Sequence, residues 1–315
     1  MTARSARVLL LLSVAGWGIV FVANHELLVL LDPVNIIVLR FSIVAPCFLL
    51  LLAVSPSRRP RLSRQDLLWV VLGGLMVVPG SQMLAVAGQQ YLSPSMSGLL
   101  VTTTPAFAAV LAYRFLGERL VVRQVAGVVI ALTGAATIVL FATGVGTDLI
   151  VRSPLGASLF ILSQMLWAAY TVLSRRNAQR HDPVGLVALT FITGTLWLIP
   201  WMPGTFVRVP ELTTSQWGWL AALVVAGTFI PHVTWYVALR HLPANATVVA
   251  MYLVPLYSAV ISALVLGERI TPAGAAGGLL VLVGVALSQR REPRGGTSPT
   301  ADATPAAGAT PTPAG

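Results

Sequence analysis

Apolar and polar positions alternate along the chain on a coarse scale, as long apolar runs separated by short polar breaks. The runs fall at about 8–31, 34–54, 66–89, 94–115 and 122–141, then at 154–174, 184–202, 216–239, 244–266 and 272–288. Each is close to the ~20 residues that a helix needs to cross ~30 Å of hydrocarbon. Strands of a membrane barrel would be about ten residues long and alternate in polarity. Continuous runs of this length predict helices, because lipid offers the backbone no hydrogen-bond partner. Asp32-Pro33 and Asp182-Pro183 mark tight reversals, 55–60 reads as a loop, and Thr271-Pro272 as a cap followed by Pro at the first helical position. From about Arg290 the chain is rich in Pro, Ala, Thr and Gly with few apolar anchors, so 290–315 is read as a disordered cytoplasmic tail. The first run resembles a secretory signal, with Arg4 and Arg7 before it, but it is too long and lacks a clear small-x-small end, so it is read as a retained span.

The runs repeat. Shifting the chain by 150 residues aligns Trp17 with Trp167, Asp32-Pro33-Val34 with Asp182-Pro183-Val184, Leu39 and Phe41 with Leu189 and Phe191, Trp69 with Trp219, and Pro105 with Pro255. The same shift aligns Leu116-Gly117-Glu118-Arg119 with Leu266-Gly267-Glu268-Arg269, and Gly127 and Gly134 with Gly277 and Gly284. One gapless offset serves all of these, which points to duplication. The units are 1–141 and 154–289, joined by a linker at 142–153. Five spans per unit make the second copy enter from the opposite side. The expected fold is therefore all-α and polytopic, with ten transmembrane helices as two inverted five-helix repeats. Such repeats recur in secondary transporters, with the substrate near the midplane at their interface.

Composition agrees. Of 315 residues 56% are hydrophobic and 10% charged, against roughly 25% charged in a soluble domain. All twenty basic residues are Arg. With the N-terminus in the cytoplasm, sixteen Arg fall in inside segments and three outside, and the twentieth, Arg40, lies within a span. That bias satisfies the positive-inside rule and places both termini in the cytoplasm. Arg confined to short loops serves topology and does not suggest nucleic-acid binding. The lone Cys47 cannot form an internal disulfide and reads as a packing residue.

Several of these features together resemble the drug/metabolite transporter superfamily in its EamA-type branch. They are the Trp early in each first helix, Arg40-Phe41, the Pro in each fourth helix, and the paired Leu-Gly-Glu-Arg turns. The likeness spans about 8–288. It implies a multi-pass inner-membrane exporter of amino acids, metabolites or toxic compounds, without naming the cargo. Thr190 stands in the second half where the first has Arg40, so no charge role carries across.

A cation at membrane depth costs about 2.5–3.5 kcal/mol on insertion scales, so Arg40 is expected to face a cavity or partner. Glu26 is expected at a similar depth on the neighbouring helix. The alternatives are an Arg40–Glu26 pair, an Arg40 contact with an anionic substrate group, or Arg40 bonded to backbone carbonyls. His232, beside Pro231, aligns with Gln82, and both are deep and polar. Thr228 and Tyr236 share its face, and Gln89 shares that of Gln82. Glu26 and His232 are candidates for proton coupling. Trp17, Asn24, Gln164, Trp167, Tyr170 and Tyr252 complete the candidate cavity, an amphipathic pocket suited to a modest apolar or zwitterionic solute. Glu118 and Glu268 read as turn anchors, not catalytic acids, because the expected topology puts them on opposite faces. Small residues at Gly127, Ala131, Gly134, Gly274 and Gly278 permit close helix packing, either between the halves or in a homodimer.

No Gly-rich loop ending Gly-Lys-Ser/Thr is present, there is no Lys, and no Cys/His cluster suggests a metal. No cofactor is expected, and the partners expected are a small-molecule substrate and membrane lipid. The reading is a secondary carrier, exporting by alternating access. The alternatives are a lipid-carrier flippase of the same fold and a membrane-embedded enzyme acting on lipid or isoprenoid.

Overall fold

The computed structural model describes residues 2–117, 122–141, 154–239, 241, 250–251, 253–267 and 271–289. Apart from short turns and loops these are helical, with no strand among them. In the first half the helices are α1 (Ala3–Leu27), α2 (Pro33–Val54), α3 (Arg64–Gln89), α4 (Pro94–Phe115) and α5 (Val122–Phe141). The second half holds α6 (Pro154–Leu173), α7 (Arg175–Arg180), α8 (Pro183–Leu196), α9 (Ile199–Phe206), α10 (Thr214–Ala238), α11 (Leu253–Leu266) and α12 (Pro272–Gln289).

Among the described residues, six helices are long and apolar enough to cross a membrane, and a seventh span is gained if α8 and α9 are taken together. The apolar stretches Val125–Thr137, Leu253–Leu266 and Pro272–Gly284 are shorter. The seventh run, 184–202, is not one straight helix. It bends by 48° between α8 and α9, where Pro200 and Pro203 supply no N–H to continue the ladder. The Thr205 hydroxyl donates to Asn35 Oδ1 (2.8 Å) and holds α9 against α2. Leu50, Val29 and Leu264, exposed by 64%, 79% and 81%, present an apolar outer surface. That surface suits lipid and not water.

Local structure follows the 150-residue offset. Ser63 and Asp66 form a capping box at the start of α3, and Thr213 and Gln216 form its counterpart at α10. The α4 turn ends at Gly117 and the α11 turn at Gly267, both left-handed with φ +67°; the αL conformation favours Gly at each. Glu118 and Glu268, expected to anchor these turns, lie outside the described residues.

The two halves interlock. α1 packs on α10 and α11, and its mate α6 packs on α3 and α4. The fifth helices α5 and α12 pair directly. A β-carbon at Gly134 would lie 2.6 Å from the Gly277 carbonyl oxygen, and one at Gly284 would lie 2.5 Å from that of Gly127. The two contacts are the same contact with the halves exchanged. Within the chain, Gly127, Ala131 and Gly134 pack between the halves. Gly274 and Gly278 of α12 also pack across the halves, where they receive Met96 and Leu99 of α4.

Candidate functional site

The third helix of each half is wound more loosely at its centre. Met76–Gln82 in α3 and Ala222–Phe229 in α10 are π-helical. Pro79 lies within the first, and Pro231 follows the second. Proline cannot donate to the ladder, so the winding widens and leaves carbonyls for other donors. Thr228 uses one of them: its hydroxyl donates to Leu223 O, five residues back, at 2.7 Å.

Arg40 of α2 reaches this point. It is 2% exposed. Its Nε donates to Thr228 Oγ1 (2.8 Å) and its Nη1 to Gln82 Oε1 (3.0 Å), and its Cζ lies 5.3 Å from the Phe41 ring centroid. One residue thus ties α2 to α3 of its own half and α10 of the other. Glu26 does not take part; among the described residues the ion pairs are Asp66–His181 and Arg208–Glu211. Equal depth does not place two side chains on facing sides of their helices.

His232 sits one turn beyond Thr228, buried, with Nδ1 2.6 Å from the Thr228 carbonyl oxygen. A carbonyl only accepts, so Nδ1 carries the hydrogen and Nε2 is left as the acceptor. Rings surround it. The mates Trp17 and Trp167 stand with centroids 5.7 and 6.3 Å from it, and Phe191 at 4.9 Å, all edge-on. Trp235 packs tilted against Trp17 (4.9 Å), and Tyr170 against Trp167 (5.9 Å). Edge-to-face packing of this kind is favourable beyond simple burial. The result is an aromatic wall beside a buried cation and its neutral ligands.

Tyr170 leads from this wall to a small cavity. Its hydroxyl is 3.3 Å from that of Thr190, the mate of Arg40. Both line a cavity of about 40 Å³ with Tyr236, Asn177, and Trp69 and Val70 from the first half. The cavity therefore lies on the seam between the halves. At ~10–15 Å³ per water it holds a few waters and no organic solute.

The other expected residues lie elsewhere. Gln164 belongs to a structural node: Thr104 donates to its Oε1 (2.9 Å), its Nε2 donates to Ser163 (2.8 Å), and Ser81 donates to the Ser163 carbonyl (2.9 Å). Asn24 donates to Gln89 Oε1 (3.2 Å), so Gln89 and Gln82 serve different partners on different helices. Asn24 Oδ1 is buried and has no hydrogen-bond partner among the described residues. Tyr252 lies outside the described residues. Trp235 is among the aromatic positions that the sequence offers, whereas Phe191 and Thr190 are marked there only as the repeat mates of Phe41 and Arg40 and not as cavity residues.

Comparison with known proteins agrees with this architecture. The chain is 25% identical over 284 residues to an uncharacterized transporter of Archaeoglobus fulgidus, covering 90% of this chain and 98% of that one. It is 29% identical over 288 residues to a probable terminal-alkyne amino-acid exporter of Streptantibioticus cattleyicolor, covering 90% and 92%. A solved crystal structure shares the fold with a TM-score of 0.61 at 19% identity, covering 91% of this chain and 97% of that one. The profile of the EamA-like transporter family matches twice, at residues 4–140 and 154–289. This multi-pass membrane protein belongs to the EamA-like transporter family.

Proposed function

We propose that the chain is a secondary carrier of the inner (plasma) membrane. It exports a small organic metabolite, amino acid or drug by alternating access between two inverted halves, with both termini cytoplasmic. The observation that carries this reading is the seam cavity set against its repeat mates. Leu186, Val187 and Ser174 line the cavity. Leu186 and Val187 are nearly closed off, at 7% and 2% exposed; their mates Ile36 and Ile37 are fully buried, and Asn24 Oδ1 has no hydrogen-bond partner among the described residues. If the halves exchange conformations, the cavity closes around the first set and opens around the second, which hydrates Asn24 Oδ1. The 40 Å³ volume fits a closed stage of such a cycle. The cargo class draws on the amino-acid exporter among the relatives.

Cysteine accessibility tests the cycle. With Cys47 replaced by Ala, single cysteines are placed at Val187 and Ile37 in inverted and right-side-out vesicles. An impermeant maleimide is expected to label Val187→Cys from the cytoplasmic side and Ile37→Cys from the opposite side. Labelling of both from one side would remove the alternating pathway.

The drive in this reading is the proton gradient, through Glu26 and His232. His232→Gln, which copies its mate Gln82, is expected to retain measurable counterflow exchange of solute across proteoliposomes. A pH gradient imposed on that variant should produce no accumulation above equilibrium. Retained accumulation would transfer coupling to another group.

A further inference from the structure

Arg40 is a buried cation whose ligands are both neutral. A carboxamide oxygen and a hydroxyl orient a guanidinium but do not cancel its charge. No carboxylate pairs with it among the described residues, where the ion pairs are those of Asp66 and Glu211. Its fork is only partly used. Nε and Nη1 are engaged, and Nη2 has no hydrogen-bond partner among the described residues. The Nη2 hydrogens of the planar guanidinium remain on offer, so a carboxylate can add a charge-assisted bond there beside the two ligands already held. The other groups nearby are rings: Trp17, Trp167 and Phe191, gathered around His232. His232 is one helical turn from Thr228 and bonded to its carbonyl, so wall and cation are joined in one unit.

We propose that Arg40, held by Gln82 and Thr228, is the anchor for a carboxylate on the transported solute, with the aromatic wall receiving the solute's apolar part. This rests on the carrier reading above. The bound solute supplies the counter-charge that the protein omits. Because Gln82 and Thr228 come from different halves, a carboxylate drawn to the guanidinium is felt by both, which links occupancy to the movement between them. The site contains no fixed acid for an ammonium group, so the anion is the charge that recognition requires.

The test uses the purified full chain with L-phenylalanine, L-leucine and phenylacetate, each paired with its amide, read by tryptophan-fluorescence titration and by counterflow in proteoliposomes. At least one acid is expected to bind saturably and exchange. Its amide should bind about 100-fold more weakly, the scale of an unpaired buried charge contact. Gln82→Glu places a permanent carboxylate beside Arg40. It is expected to raise the thermal midpoint in detergent while abolishing acid binding. A purely structural Arg40 would give the same rise in midpoint with binding unchanged. Amides that bind as tightly as acids, acid binding that survives Gln82→Glu, or no saturable acid binding at all would each overturn the anchor. The carrier reading fails separately, if no solute exchanges and the Val187 and Ile37 cysteines label from one side only.

Discussion

Gly134→Leu is expected to lower stability by about 3 kcal/mol or more, the upper end for forcing bulk into a filled contact. The obstruction at Gly134 is the Gly277 carbonyl and the Val281 amide nitrogen, both main-chain atoms, so no rotamer change relieves it. α5 and α12 must separate, and small residues exist at such crossings to prevent this. Gly284→Leu should be equally damaging, because its obstruction is the mirrored one at Gly127 and Ala131. Gly204→Leu and Gly218→Leu are the controls, since a β-carbon at either meets nothing within 4 Å. The thermal midpoint and monodisperse fraction in detergent give the measurement. A Gly134→Leu protein as stable as the controls would disprove the close pairing of the fifth helices.

What was legible beforehand was what a linear code carries. Apolar runs give the helices because hydrocarbon forbids other backbone arrangements, and the 150-residue offset gives the duplication because paired turns are chemically specific. The offset also held signals that went unread. Ser63-x-x-Asp66 and Thr213-x-x-Gln216 stand in register as two capping boxes. Arg40, Gln82, Thr228 and His232 were visible as polar residues inside apolar runs, where a polar group is costly unless employed.

Their partners were less legible. Depth along a span can be counted, but the direction a side chain faces depends on winding and on which helix lies alongside. The π-helical turns at 76–82 and 222–229 shift the faces that a regular 3.6-residue period assigns. Arg40 meets Thr228 across 188 positions of sequence, through an interlocking that no local pattern encodes. The candidate pair with Glu26 rested on depth alone. The bend at 196–199 had its prolines in view, but a proline permits either a kinked or a broken span, and the contact that selects the break, Thr205 to Asn35, is long-range.

The effect that best separates function from architecture is at Arg40 itself. Arg40→Met removes a cation that costs about 2.5–3.5 kcal/mol at depth. It gives up two side-chain hydrogen bonds, each worth about 0.6 kcal/mol on average between helices in lipid. Thr228 keeps its bond to Leu223 O, and Gln82 is only half-buried, so neither ligand is left stranded. The thermal midpoint should therefore hold or rise, by about 1–2 kcal/mol in stability on this difference. Exchange in proteoliposomes should fall by about 100-fold or more, since a buried charge contact to the solute is gone. Arg40→Lys keeps the charge but not the planar fork, and is expected to fall between the two. A Met variant that unfolds would make Arg40 a brace between α2, α3 and α10. A Met variant that is stable and still transports would show that the charge has no part in either.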